Sequence, residues 1–250
     1  VIRPDAAPLC ADAADAGAGA GGAGDSRLFP VANYHFAMDD LATSWVAIDD
    51  PSLSSQATSQ ATASAWVHAA VGDGRVAQTA ASLGPVGAAH RGTVLRRALS
   101  GGGRHPAWGD ATFRVRLGFG QEGTGPGDAG VVVRVVDDAT YYRVFVSLWS
   151  NMVVFDRFVR GVRVPIESGT WDAARYVVGS DLDLTVRASG PRITVFLAHG
   201  NDGRGVGAPP LRVVDTIEAS FEASARGTVG VFTSGAAEAS FDFLRVAPNP

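Results

Sequence analysis

The stretch that decides the fold reads Val131-Val-Val-Arg-Val-Val136, then Asp137-Asp-Ala-Thr140, then Tyr141-Tyr-Arg-Val-Phe-Val-Ser-Leu148. Its first six residues are an almost continuous β-branched run, which is typical of a strand covered on both faces. The short polar side chains that follow favour a turn. A second apolar run begins at once, so the stretch predicts two neighbouring strands.

Strand patterns continue on both sides of this stretch. Phe113, Val115, Leu117 and Phe119 alternate with Arg and Gly, which is the two-residue period of a half-buried strand. The best helix candidate, residues 77–83, is too weakly periodic and is read as strand or loop. Further strands are expected at Met152–Val159, Leu182–Val186, Ile193–Leu197, Val229–Phe232 and Phe241–Val246. The sequence therefore predicts an all-β fold, an antiparallel two-sheet jelly-roll sandwich.

Turn and loop signals separate these runs. Glycine-containing turns are predicted at Arg160-Gly161, Ser189-Gly190, Asn201-Asp202-Gly203 and Arg226-Gly227. Surface loops are predicted at residues 50–65, 99–108, 118–130 and 198–210, where polar residues or glycines replace the apolar runs.

Composition limits the range of functions. The chain has 250 residues, of which 46% are hydrophobic, so it can bury a substantial core in one sandwich domain. Its net charge is −4, and all 21 basic residues are arginine. We expect no nucleic-acid partner, because no basic field is present to hold a phosphate backbone. No segment approaches the roughly 20 apolar residues that span a bilayer.

The N-terminal region differs from the rest of the chain. Residues 1–27 are rich in Ala and Gly and are predicted to form a flexible arm, followed by the sandwich domain at residues 28–250. Cys10 is the single cysteine, which excludes a disulfide within the chain. It is either a free thiol or the site of an intermolecular disulfide. No signal-peptide pattern follows Val1, so we expect a processed or trimmed form of a secreted protein.

The order of these features resembles a known family. The carrying segments are Trp45-Val-Ala-Ile-Asp49, Trp108-Gly-Asp-Ala-Thr-Phe113, the two strands quoted above, and Ala239-Ser-Phe-Asp-Phe-Leu-Arg-Val246. Over about residues 40–247 the chain looks like the laminin-G-like, concanavalin-like jelly rolls of secreted proteins, akin to the thrombospondin C-terminal domain. The resemblance implies two curved sheets, frequent Ca²⁺ binding, and a role in glycan binding, adhesion or matrix assembly. The glycine-rich loop before Asp128 departs from the dense aspartate cluster of related modules.

Acidic residues at predicted strand ends are candidate metal ligands. Carboxylate oxygens on irregular loops suit Ca²⁺, and aspartates equally form turns by capping backbone N–H groups. Asp242 lies inside a predicted strand and needs a partner if it is buried, for which Arg134 is the candidate. The candidate calcium ligands are Asp49, Asp50, Asp128, Asp137, Asp138 and Asp242.

Aromatic residues on the two central strands are candidate sugar contacts. Exposed rings on a sheet face stack on sugars, whereas buried rings fill the core. Tyr141 and Trp149 are the candidate ligand-binding residues, and Tyr142 is expected to point inward with Val144.

Catalytic patterns are weak. The i, i+4 glutamates Glu218 and Glu222 lack the central aspartate of the familiar Glu-x-Asp-x-x-Glu glycosidase pattern, and the histidines are scattered. The sequence therefore predicts a non-catalytic extracellular module that binds a glycan or a partner protein and is stabilised by calcium. The alternatives are a structural subunit of a cell-surface assembly, tethered through the N-terminal arm, and a polysaccharide-active enzyme of the same fold.

Overall fold

The computed structural model describes eleven segments of the chain: residues 32–35, 45–49, 66–68, 76–78, 93–97, 108–119, 127–171, 181–199, 210–218, 226–235 and 239–249. These residues form fifteen strands in two antiparallel sheets, which confirms the predicted sandwich. No helix in this part of the chain is long and apolar enough to cross a membrane. The predicted arm with Cys10, and the predicted loop at 50–65, lie outside the described residues.

Sheet A has eight strands, and all of its neighbouring strands run antiparallel. Seven follow one another across the sheet, and β1 (Ala32–His35) pairs separately with β15. The order of the seven is β13 (Leu211–Ile217), β12 (Arg192–His199), β11 (Asp181–Ser189), β6 (Ala111–Phe119), β15 (Ala239–Pro248), β4 (Val76–Gln78) and β3 (Trp66–His68).

Sheet B has seven strands, again antiparallel throughout. The two strands quoted first above, β7 and β8, lie near its middle. The order is β10 (Val162–Thr170), β9 (Met152–Val159), β8 (Thr140–Ser147), β7 (Gly127–Asp137), β14 (Thr228–Gly235), β5 (Thr93–Arg97) and β2 (Trp45–Asp49).

The main core lies between the sheets and follows the alternation of the strands. In β6, Phe113, Val115 and Leu117 are fully buried, whereas Arg114 is exposed, which confirms the predicted half-buried strand. Tyr142 of β8 points into this core together with Val144, as expected.

The central strands of sheet B are buried on both faces. In β7, Val131 and Val133 belong to the main core, whereas Val132 and Val135 belong to a second cluster on the opposite face. We call this second group the outer cluster; its other members are Val94, Tyr141, Phe145, Val154, Phe158 and Phe232. The continuous β-branched run of β7 thus supplies apolar side chains to two faces, as the sequence predicts.

Strands β5, β10 and β13 are among the strands that the sequence pattern does not predict. Strands β10 and β13 are the edges of the two sheets on one side of the sandwich, and they expose many of their side chains. An edge strand has little need for alternating apolar residues, which explains the weak signal. Strand β5 is fully buried but ends in two arginines, Arg96 and Arg97, which interrupt the apolar pattern.

Two predicted loops are shorter than expected. Strand β6 runs to Phe119 and β7 begins at Gly127, so Asp128 lies within a strand and not at the end of a loop. Strand β12 likewise continues to His199. The prediction of a turn at Arg226-Gly227 is also wrong, because the backbone of Gly227 forms an isolated bridge with Trp108, with N···O distances of 2.8 and 3.2 Å.

Two predicted hairpin turns are confirmed. Arg160 and Gly161 have φ angles of 50° and 82°, and Gly190 has a φ of 53°. Positive φ at the central residues gives the turn the twist of the flanking strands, which is why glycine recurs at these positions.

A bulge in β7 places a buried arginine between the sheets. Arg134 has a φ of 50° where the pairing of β7 with β8 loses register. Its guanidinium donates to the carbonyl oxygens of Gly190 (3.0 Å) and Gly109 (3.3 Å), both beside sheet A strands. Burial lowers the pKa of Arg134. The expected pairing of Arg134 with Asp242 is therefore wrong: Asp242 lies at a bulge of β15, 3.8 Å from Arg116.

The outer face of sheet A carries an ionic network centred on Asp183. Its carboxylate accepts hydrogen bonds from Arg114 (2.6 Å) and Arg116 (3.0 Å) on the adjacent strand β6. Burial raises the pKa of Asp183, but donation from the two arginines outweighs burial and leaves that pKa below its ordinary value.

We expect this network to contribute to acid sensitivity. Because the pKa of Asp183 is lower in the folded than in the unfolded chain, its contribution is complete above the ordinary value of 3.8 and is lost as the pH falls through the lowered value. Urea unfolding should show Asp183→Asn clearly less stable than the parent at pH 7, with a smaller difference at pH 2.5. An equal difference at both pH values would contradict this account.

Glycine is required where β7 passes closely by β8. A Cβ on Gly130 would overlap the carbonyl oxygen of Val144 and lie 2.5 Å from the Cα of Phe145. We expect Gly130→Ala to lower the free energy of unfolding by about 3 kcal/mol, because backbone atoms cannot yield as a flexible side chain does. Gly190→Ala is the control, since nothing lies within 4 Å and only the positive φ costs about 1 kcal/mol. Urea denaturation that ranks the two variants in the opposite order would refute this explanation.

Candidate functional site

A cavity of about 520 Å³ opens on the outer face of sheet B, beside the hairpin that joins β8 and β9. This volume suits a small ligand or one to a few units of a polymer. Its lining combines apolar and polar side chains. The apolar lining is Phe145, Met152, Val154, Phe155, Pro165 and Ile166, and the remaining lining is Ser147, Trp149, Ser150, Arg163, Glu167 and Ser168.

Trp149 lies on the turn of this hairpin and is 68% exposed. The turn is anchored on both sides: the amide of Leu148 donates to the Gly127 carbonyl (3.1 Å), and the amide of Trp171 donates to the Asn151 carbonyl (3.1 Å). A large aromatic side chain left in water on an anchored turn forgoes the burial that such side chains usually contribute to stability. Trp149 thus leaves a large aromatic face accessible at the cavity.

A bulge in the edge strand β10 forms another part of the cavity lining. The pairing of β10 with β9 shifts register between Pro165 and Glu167. Proline has no N–H to donate to a ladder and is tolerated at edges and bulges. The bulge brings Glu167 and Ser168 to the cavity rim, where the Glu167 side chain accepts a hydrogen bond from the Ser168 amide (3.3 Å).

Below the cavity lies a buried ion pair. Arg143 of β8 donates from Nε (3.0 Å) and Nη2 (2.7 Å) to the two carboxylate oxygens of Asp156 on β9, and both side chains are 0% exposed. The Arg143 guanidinium also lies 4.5 to 4.9 Å from the ring centroids of Phe145, Phe158 and Phe232 in the outer cluster. Bidentate pairing and contact with ring faces together compensate the loss of water around both charges.

Asp156 also holds a third residue, which lines the cavity. Nε of Arg163, on β10, donates to the Asp156 carboxylate at 2.7 Å, and the Arg163 side chain remains 22% exposed. Since only Nε is used in this bond, the two terminal amino groups of Arg163 are available to a ligand. The plane of the guanidinium is fixed by a buried carboxylate, so little side-chain entropy is lost on binding.

The two aromatic residues predicted to bind a ligand occupy different environments. Trp149 lines the cavity. Tyr141 is only 3% exposed and stacks on Phe158 in the outer cluster, with ring centroids 5.0 Å apart. Tyr141 therefore packs within the outer cluster and does not line the cavity.

The predicted calcium ligands do not converge in the described part of the chain. Asp137 caps the β7–β8 turn, where its carboxylate accepts the amide of Ala139 (2.8 Å), and Asp138 forms an ion pair with Arg96. Asp128 is at the other end of β7, where it accepts the hydroxyl of Ser234 (2.9 Å). Asp242 is on sheet A beside Arg116.

The remaining two acidic candidates are beyond what the structure describes. Asp49 ends β2, with its side chain outside the described residues, and Asp50 lies outside them entirely. Among the residues that are described, no group of three or more His, Cys, Asp or Glu side chains is arranged to hold a metal ion.

The carboxylate named for a hydrolase is also engaged. Glu218, at the end of β13, lies 3.3 Å from Nη1 of Arg157 and is nearly buried. Its proposed partner, Glu222, lies outside the described residues.

The residues of the candidate site that the sequence analysis does not identify are Arg143, Asp156, Arg163 and Glu167. The sequence signal that could have found two of them is a charged residue inside an apolar strand pattern, at Arg143 and again at Asp156.

Solved structures with the same fold include sugar-binding proteins. Carbohydrate binding module CBM66 from Bacillus subtilis matches with 18% identity over 80% of this chain and 92% of its own, at a TM-score of 0.50. Peanut lectin matches with 9% identity over 87% and 96%, at 0.54, and the VIP36 exoplasmic/lumenal domain, in a Ca²⁺/Man-bound form, with 12% over 82% and 83%, at 0.50. The chain thus has the concanavalin-like β-sandwich fold. No protein-family model and no curated protein matches the sequence.

The buried ion pair predicts an asymmetric response to mutation. Asp156→Ala leaves Arg143 buried without a counter-charge, and we expect it to lower the free energy of unfolding by about 3 to 5 kcal/mol. Asp215 is the matched control, because it also binds two arginines, Arg192 and Arg212, but on the solvent-exposed face of sheet A. Asp215→Ala should leave the denaturation midpoint nearly unchanged. Similar losses in the two variants would contradict the account of the buried pair.

Proposed function

We propose that this protein is a non-catalytic glycan-binding module and that the cavity beside the β8–β9 hairpin is its binding site. The observation that carries the proposal is Trp149, a tryptophan exposed on an anchored turn at the mouth of a cavity of about 520 Å³. A sugar ring has apolar C–H faces and polar hydroxyl edges. It therefore fits a site with an aromatic face on one side and hydrogen-bonding groups on the other.

The polar side of the cavity supplies both kinds of hydrogen-bonding group. Arg163 offers donors, Glu167 offers acceptors, and the serine hydroxyls of Ser147 and Ser168 serve as either. Vicinal sugar hydroxyls each donate and accept, so a mixed set of this kind holds them in a defined orientation. The similar structures support the proposal, because CBM66 is a carbohydrate binding module and the VIP36 domain is in a Ca²⁺/Man-bound form.

Calcium and secretion enter the proposal in a limited form. One similar structure is in a Ca²⁺/Man-bound form, but the four described candidate ligands of this chain lie beside Ser234, the Ala139 amide and arginines. A calcium site therefore rests on Asp49 and Asp50, and its role would be to stabilise the fold. We infer that sugar binding at the cavity needs no calcium. An extracellular location and the finer likeness to laminin-G modules are parts of the same proposal.

The two alternative functions depend on residues beyond the described ones. A tethered assembly subunit would use residues 1–27 and Cys10, and a hydrolase would use Glu222. Neither gains support from the cavity, whose lining offers a single carboxylate, Glu167, where a glycosidase needs a pair.

The proposal is tested by a glycan array followed by calorimetric titration of the best oligosaccharide. We expect Trp149→Ala to weaken binding about 10- to 100-fold, because aromatic contact at a binding site contributes roughly 1 to 3 kcal/mol. Trp149→Phe should recover part of the affinity, and chelation of calcium should leave it unchanged.

Ile217→Ala is the matched control, since Ile217 is a similarly exposed apolar side chain on the edge strand of sheet A and does not line the cavity. Equal loss of binding in Trp149→Ala and Ile217→Ala, or binding that disappears with chelator, would place the site elsewhere. An array without any bound glycan would overturn the function itself.

A further inference from the structure

We propose that Asp156 is a positioning residue that makes the cavity selective for neutral sugars over carboxylated sugars; this inference rests on the proposed function. Asp156 does not line the cavity. It acts through Arg163, whose Nε it binds at 2.7 Å.

The charges around the cavity do not favour an anionic ligand. Arg143 and Arg163 carry two positive charges, of which Asp156 balances one. Glu167 at the rim balances the other. Asp128, opposite Ser147 in the adjacent strand, adds a further acidic side chain behind the wall. The net charge of these side chains is therefore zero or negative, although Arg163 lines the cavity.

Because its charge is balanced in this way, Arg163 can donate hydrogen bonds to hydroxyl oxygens but attracts anions only weakly. Bringing a sugar carboxylate to Arg163 would set it close to the carboxylates of Asp156 and Glu167. Like charges at such distances weaken binding strongly when water is partly excluded. A neutral sugar accepts the same hydrogen bonds from Arg163 without this repulsion.

The contrast with the exposed face of sheet A shows what burial adds. Asp215, like Asp156, forms ion pairs with two arginines, Arg192 at 2.7 Å and Arg212 at 2.9 Å. These three side chains are exposed to solvent on the surface of sheet A, away from the cavity. Water and salt screen that cluster. Asp156 is fully buried, so water and salt screen its charge less at the neighbouring cavity.

The test is a comparison of neutral and uronate-containing oligosaccharides on the same array, with affinities measured for galactan and galacturonan oligomers of equal length. We expect the parent protein to prefer neutral glycans by about tenfold or more. Asp156→Asn keeps the shape and removes the negative charge. It should shift the ratio of uronate to neutral affinity by about tenfold toward uronates, and a purely structural role would not produce such a gain.

Two further variants separate selectivity from folding. Glu167→Gln, at an exposed position with no buried partner, should shift the ratio in the same direction by a smaller factor, and Asp215→Asn should leave it unchanged. Melting curves confirm that each variant is folded before it is used. The inference would be overturned, with glycan binding left in place, if the parent protein preferred uronates. It would also be overturned if Asp156→Asn lost all binding and Glu167→Gln showed no shift in the affinity ratio. Absence of binding to every glycan would instead refute the proposed function.

Discussion

The buried ion pair between Arg143 and Asp156 is the interaction on which the outer face of sheet B depends. Two charges that are 0% exposed are tolerated in an apolar cluster only because their hydrogen bonds are bidentate and three phenylalanine rings face the guanidinium. The pair links β8 to β9, and through Arg163 it reaches the edge strand β10. The rigid part of the candidate site is thus built from three adjacent strands joined by one carboxylate.

This arrangement explains why the site combines a rigid base with exposed contacts. Asp156 of β9 holds Arg163 in place. The hairpin turn with Trp149 and the β10 bulge with Glu167 supply the exposed groups of the site. If the outer face of sheet B were exposed to water, Arg163 would sample many rotamers and would not be held in one orientation. The outer cluster with Tyr141 and Phe158 therefore supports the candidate site indirectly, by keeping the strand that carries Asp156 in place.

Much of the fold follows from sequence, and the site follows less well. The β-branched run of β7 predicts two-sided burial, and the alternation in β6 predicts a half-buried strand, because both are local consequences of strand geometry. Trp149, predicted as a sugar contact among the aromatic residues of two adjacent strands, lines the cavity. The pairing of Asp156 with Arg163 is not predictable in this way, since it joins residues of different strands and depends on register, and β10 itself lacks an alternating pattern. Arg134 was paired with the wrong aspartate, because the β7 bulge redirects its side chain toward Gly109 and Gly190.

The account is tested most directly by an NMR titration that follows the side-chain indole N–H signals of the five tryptophans. A neutral oligosaccharide is added to the ¹⁵N-labelled protein, and the signal of Trp149 is assigned from its absence in Trp149→Phe. We predict that the Trp149 signal shifts in proportion to saturation, while those of the buried Trp45, Trp108 and Trp171 stay in place. Shifts of the buried indoles with an unmoved Trp149 signal would contradict the placement of the binding site at the β8–β9 hairpin.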